Sequence, residues 1–198
     1  MRFRQRKLNQ VFICYRREGS SWVAGRIYDS LVRKFGRDAV FKDIDSIPLG
    51  INFREHIESA VQQCSVFLVV IYNGWMGERV DQGTRRIDDP NDFIRIEIEA
   101  VLQRQIPVIP LLIEDTSITS ADSLPSPLNE LGHRNGMRIN NDPQFHMDMD
   151  RLINRLEPHL QFKKTDLVTL RRLAKWMVVF IVLLLVLGVI IIFRLSPI

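Results

Sequence analysis

The first 160 residues alternate between short apolar runs and amphipathic stretches, and this alternation carries the fold. VFICY (11–15), AVFKD (39–43), SVFLVVI (65–71) and PVIPLLI (107–113) have the length and β-branched content of strands buried on both faces. A weaker strand is expected near MRIN, 137–140. Helical spacing of apolar positions predicts helices over Ser20–Phe35 (stopped by Gly36), Phe53–Gln63, 91–104 and 147–159. A Pro/Gly loop, SIPLG at 46–50, follows the second strand, and a long polar loop with Gly74, Gly77, Gly83 and Pro90 follows the third. Continuous apolar strands separated by helices predict an α/β fold. Its five-stranded parallel sheet is covered on both faces and doubly wound in flavodoxin-like order.

The pattern changes near the end of the chain. Trp176–Phe193 holds no charged residue and only Gly188 as an interruption. As a helix these residues span roughly 27 Å, close to a hydrocarbon core of about 30 Å. Arg171, Arg172 and Lys175 lie upstream against Arg194 alone downstream, so positive-inside bias predicts a single-pass C-terminal anchor with the domain in the cytosol. The expected organisation is a basic extension (1–8), a domain (9–160), a basic juxtamembrane linker (161–175), a transmembrane helix (176–193) and a short tail (194–198). MRFRQRKLNQ is basic but leads into no apolar core of signal-peptide length, so no secretory signal is expected.

Charge supports this division. The net +4 is concentrated in the tail: from Gln161 onward there are six basic residues and one acid, which leaves the domain near neutral. That placement suits lipid headgroups, and no nucleic-acid partner is expected. Cys14 and Cys64 lie in or beside apolar runs without Cys-x-x-Cys spacing, and read as free buried thiols. His56, His133, His146 and His159 are scattered, so no metal is assigned. No Gly-x-Gly-x-x-Gly or Walker loop opens a helix, and no nucleophile elbow is present. In open α/β sheets the ligand crevice lies beyond the C-terminal strand ends, which selects YRREGSS (15–21), DIDSIPLG (43–50) and the loop after Ile71. Arg16 and Arg17 beside the helix start near Ser20 suit a phosphate, although paired loop arginines are also ordinary solvated surface.

Taken in order, VFICYRREGSS, VFKDIDSIPLGINF, SVFLVVI and DFIRIEIEAVLQRQIPVIPLL resemble the TIR (Toll/interleukin-1 receptor) domain family, in particular its bacterial members. The resemblance runs over about residues 9–160. It implies a flavodoxin-like domain that is either a self-associating signalling scaffold or an enzyme consuming NAD⁺ as substrate, with no further cofactor. Catalytic members carry an aromatic residue, three intervening residues and a glutamate on the helix after the third strand. Here that pattern falls on Phe93 and Glu97, with Phe where many members have Trp. The resemblance also places Tyr15, Arg16, Arg17 and the stretch Asp43–Gly50, including Pro48, near the dinucleotide. Trp75 is a stacking candidate or a packing plug.

Helix geometry bears on Glu97 independently. Ile94, Ile98, Val101 and Leu102 form the predicted sheet-facing stripe, with Glu97 on its border about 80° from the centre and Glu99 about 120° away in water. Ile96, opposite the stripe, is either an isolated exposed apolar residue or a contact to another subunit. The leading expectation is a membrane-anchored NAD⁺ glycohydrolase or cyclase that assembles through TIR–TIR contacts, with a role in defence or cell death. A second reading is a non-enzymatic TIR adaptor at the membrane, and a third is a pore-forming tail gated by clustering.

Overall fold

The chain divides into two units, residues 1–161 and 162–198. The computed structural model describes residues 10–42, 60–77, 79–80, 83–117 and 123–160, all within the first unit. The expected anchor at Trp176–Phe193 and the loop residues Asp43 and Pro48 lie outside the described residues. Among the described residues no helix is long and apolar enough to cross a membrane.

The main strands are β1 (Gln10–Cys14), β2 (Val40–Lys42), β3 (Cys64–Ile71), β6 (Val108–Ile113) and β7 (Met137–Ile139). They form one parallel sheet in the order β2-β1-β3-β6-β7. The helices are α1 (Arg17–Phe35), α2 (Phe93–Leu102) and α3 (Phe145–Leu156), with residues 60–63 also helical. The expected weak strand near 137–140 is present as β7.

Period-2 alternation divides the sheet residues between two cores. Val11, Ile13, Val66, Leu68 and Val70 face α1 and α3, meeting Val23, Ile27, Leu31, Met149 and Leu152. Phe12, Cys14, Phe67, Val69 and Ile71 face α2, meeting Ile94, Ile98 and Val101. Phe12 stacks on Phe67 with ring centroids 4.9 Å apart, which ties β1 to β3 on the α2 side. With helices on both faces, β3 is buried almost throughout, and this explains its unbroken apolar run.

The strand order reverses between β1 and β3, so the connections leaving their C-terminal ends run in opposite directions and open a crevice there. The regular part of α1 begins at Ser20, as expected, after a first turn from Arg17 that is broken by non-helical geometry at Glu18 and Gly19. Two other details of that edge depart from the sequence expectation. The polar loop after Ile71 contains a two-stranded ribbon, β4 (Arg79–Val80) and β5 (Thr84–Arg85), and a 3-10 turn, Arg86–Asp88. Finally, α2 starts at Phe93, later than expected, because Asp92 caps it: the Asp92 carboxylate accepts the Arg95 amide at 3.2 Å.

Candidate functional site

Asp92 is the hub of this edge. Its carboxylate is held by a two-pronged ion pair from Arg16, with Nη1 and Nη2 donating at 2.9 and 3.1 Å. Both side chains are only 3% exposed. Arg16 Nε also donates to the Trp75 carbonyl at 2.6 Å, and the Ser20 hydroxyl donates to the Arg16 carbonyl at 2.6 Å. One guanidinium therefore joins the end of β1, the loop after β3 and the first turn of α2. The fold meets the cost of burying this charge with fixed, paired acceptors. In this structure Arg16 acts on the shape of the site, with its guanidinium turned to protein groups.

Beside that pair is a cavity of about 280 Å³, whose lining includes Tyr15, Arg17, Glu18, Arg86 and Phe93. Four residues chosen from sequence (Tyr15, Arg16, Arg17 and Phe93) thus meet at one place. Phe93 is 51% exposed and presents an aromatic face at the start of α2. It also borders a neighbouring cavity of about 510 Å³ that shares Arg86 and Asp92. Trp75 is placed differently: it is 4% exposed, packed in the α2-side core, and borders a separate cavity of about 660 Å³ near Trp22 and Tyr72. Its indole N–H has no hydrogen-bond partner among the described residues. Of its two candidate roles, packing is the one seen here.

Glu97 lies one turn behind Phe93 and is 2% exposed. The buried face of α2 is Ile94, Glu97, Ile98 and Val101, so the stripe is rotated away from Leu102 and toward Glu97. The border position read from the sequence is corrected to a fully sheet-facing one. A carboxylate placed there needs hydrogen bonds to offset its desolvation. One comes from Cys14, at the C-terminal end of β1, whose thiol donates to Glu97. Burial raises the Cys14 pKa well above its ordinary value, and the Glu97 charge and hydrogen bond raise it further, so Cys14 remains a thiol donor at neutral pH.

Two neighbours on α2 also need correction. Glu99 does not simply point to water: it pairs with Arg95 at 2.7 Å, and Arg95 also donates to the Asp88 carbonyl at 2.8 Å. Ile96 is partly buried against the α2-side core, leaving less of it to contact another subunit. Sequence reading passed over Asp92 and Arg86, took Glu18 only as part of the 15–21 loop and read Cys14 only as a free buried thiol. Asp92 carried a legible signal, as an N-cap residue type directly before a helix. Cys14 also carried one, since it shares strand parity with Phe12. Arg86 carried none, because only the ribbon and the 3-10 turn bring it to the cavity.

The assembled chemistry is an arginine-lined cavity with an exposed aromatic ring, and Glu97 is a dry carboxylate one turn farther along α2 that the single chain keeps out of that cavity. Such a cavity can receive a planar ring against Phe93 and an anion against its arginines, whereas Glu97 is not among its lining residues. Among the described residues no group of His, Cys, Asp and Glu is arranged to hold a metal ion.

Comparison with known proteins agrees with the fold. A family model described as TIR domain matches residues 11–153. The chain is 25% identical over 159 residues to the NAD(+) hydrolase sarm1 of Drosophila melanogaster, a match covering 80% of this chain and 11% of that protein. It therefore spans about a tenth of that relative's length. Among solved structures, the TIR domains of the activated Roq1 resistosome, which recognises the pathogen effector XopQ, align with a TM-score of 0.54 at 12% identity. That alignment covers 75% of this chain and 99% of that one. A metazoan TIR-STING receptor from C. gigas, in complex with 2',3'-cGAMP, aligns with a TM-score of 0.48 at 15% identity, covering 77% of this chain and 40% of that one.

Proposed function

The chain belongs to the TIR domain family, and we propose that it is an NAD⁺ glycohydrolase or cyclase that cleaves the nicotinamide–ribose bond. The observation that carries this reading is Glu97, a carboxylate 2% exposed, one helical turn behind Phe93, the residue that lines the arginine-bearing cavity. Similarity to an NAD(+) hydrolase supports it.

The reaction needs little machinery. Nicotinamide bound to ribose is already cationic, so it leaves as a neutral amide without a general acid. Positive charge then develops on the ribose as an oxocarbenium ion. A carboxylate held in a site of low polarity stabilises that charge far better than one in water. Glycosidases use one of their two carboxylates in a similar way. Phe93 is suited to stacking on the nicotinamide ring and Arg17 to the diphosphate. Arg16 and Asp92 fix the first turn of α2, and Cys14 orients Glu97. Attack by water on the ribosyl cation gives ADP-ribose, and internal attack by the adenine ring gives a cyclic product.

The burial of Glu97 in a single chain has a consequence. Substrate reaches it only after the loop edge rearranges or a second copy reshapes the crevice. We therefore include TIR–TIR assembly in the proposal, together with anchoring through Trp176–Phe193, a cytosolic domain, a bacterial-type origin and a role in defence or cell-death signalling. The same burial favours the second reading, a TIR adaptor in which Glu97 is only a core residue. Incubating the concentrated full chain in liposomes with NAD⁺, and identifying products by chromatography, separates the two. The enzyme reading expects free nicotinamide with ADP-ribose or its cyclic form. If clustered protein shows measurable TIR–TIR binding but leaves NAD⁺ intact, the adaptor reading replaces it.

A further inference from the structure

Arg86 lines both cavities that border Phe93. Its position is imposed by backbone. A Cβ on Gly77 would come within 2.6 Å of Arg86 Cβ, so the bare glycine, at φ +82°, is what lets the arginine stem pack there. Next to it, the fully buried Ile87 donates its amide to the Met76 carbonyl at 3.0 Å. The stem is fixed at its base while the side chain as a whole remains 39% exposed.

The two carboxylates near Arg86 are unequal. Asp92 lies 3.6 Å from Nε, beyond hydrogen-bond reach, and already holds Arg16 with both oxygens. Glu18 lies 3.2 Å from Nη1 with its side chain 70% exposed, which makes an ion pair of the weak, exchangeable kind. Glu18 is turned toward Arg86 by the break in α1, where its ψ is 107° and Gly19 has φ +96°. Gly19 in turn lies against the Tyr72 ring, 2.4 Å from where a Cβ would sit, and the Tyr72 hydroxyl donates to the Glu18 carbonyl. The carboxylate is thus delivered to Arg86 by the fold.

Charge around the smaller cavity follows from this. Arg16 and Asp92 cancel each other as a buried pair. The exposed pair of Arg86 and Glu18 is left, and once Glu18 swings outward the Arg86 guanidinium faces a doubly negative ligand.

We propose that Arg86 binds the diphosphate of the dinucleotide, and that Glu18 occupies its place until substrate displaces it. This rests on the NAD⁺ reading above. A diphosphate brings more charge and more acceptors than one carboxylate, and a guanidinium engages it at two points, so the exchange favours substrate. Arg86 is then a binding residue that sets affinity, and Glu18 an internal competitor.

The test uses the full chain in detergent, with ADP-ribose binding measured by calorimetry and NAD⁺ cleavage by steady-state kinetics. Glu18→Gln should tighten ADP-ribose about threefold or more, and Arg86→Gln should weaken it at least about tenfold, with Arg86→Lys between wild type and Arg86→Gln. KM should move with these affinities while kcat changes little. Nicotinamide riboside, which has no phosphate, should bind all variants alike. Misfolding cannot produce the tighter binding of Glu18→Gln, so that variant guards against a merely structural effect of Arg86→Gln. Active wild type whose KM is the same in Arg86→Gln and Glu18→Gln overturns this inference alone. Wild type that neither binds ADP-ribose nor cleaves NAD⁺ overturns the dinucleotide reading and this inference with it.

Discussion

Asp92→Asn is the most direct test of how the site is held. Asparagine keeps the size of the side chain and one acceptor oxygen, so it still caps α2 at the Arg95 amide. What it removes is the charge that Arg16 is built around. Arg16 is 3% exposed and cannot turn to water, so the variant leaves a buried cation with only the Trp75 carbonyl and one neutral oxygen. Removing one partner of such a pair costs about 3–5 kcal/mol. Domains of about 150 residues lose roughly 2–4 °C per kcal/mol, so Tm should fall by about 6–20 °C. Arg16→Gln should cost a similar amount by stranding Asp92. The double variant should lose well under the sum, because neither residue then strands the other, and the difference reads the coupling directly. Differential scanning calorimetry on the four proteins supplies the cycle. Two small, additive single effects, each below about 1 kcal/mol, would refute the argument that this pair fastens β1 to the first turn of α2.

The other predictions concern chemistry and context. Glu97→Gln should reduce NAD⁺ cleavage by a hundredfold or more, since it removes the charge proposed to stabilise the ribosyl cation. Its Tm should not fall, because desolvation of a buried carboxylate is relieved; equal activity in the variant, measured by nicotinamide release, rules out the assignment. Glu99→Gln should keep activity and lose only about 0.3–0.5 kcal/mol, the worth of its helical pair with Arg95. For the thiols, burial raises Cys14 and pushes Cys64 up to about 12. Native protein should therefore resist iodoacetamide at pH 8 and react only when unfolded. A raised pKa means the folded state holds its proton longer. The stabilisation is complete below the unfolded thiol pKa near 8.5 and declines as pH climbs toward 12. Thermal melts across pH 7–11 should show that decline, and a rise in stability over the range would contradict it. Deleting 171–198 should release a folded domain from membranes; continued sedimentation with liposomes excludes Trp176–Phe193 as the sole anchor.

Much of the fold follows from the order of residues alone. Apolar runs such as VFICY, SVFLVVI and PVIPLLI, separated by helical spacing, require a sheet covered on both faces, because such strands have no side that tolerates water. The parity of β1 already placed Cys14 with Phe12 and apart from Val11 and Ile13. The arginines after β1 were visible as a local motif, and resemblance to TIR domains singled out Phe93 with Glu97. Local pattern could not supply the partners. Arg16 and Asp92 are 76 residues apart and meet only because β1 and β3 are neighbours at the point where strand order reverses. Arg86 reaches the cavity because a short ribbon and a glycine without Cβ bring it there. Glu97 faces the sheet, and does not lie at the border of the helix, because the stripe that α2 buries is set by its docking angle on the sheet. Periodicity fixes which residues share a helix face; only packing fixes how that face is turned, and with it which carboxylate is dry enough for chemistry.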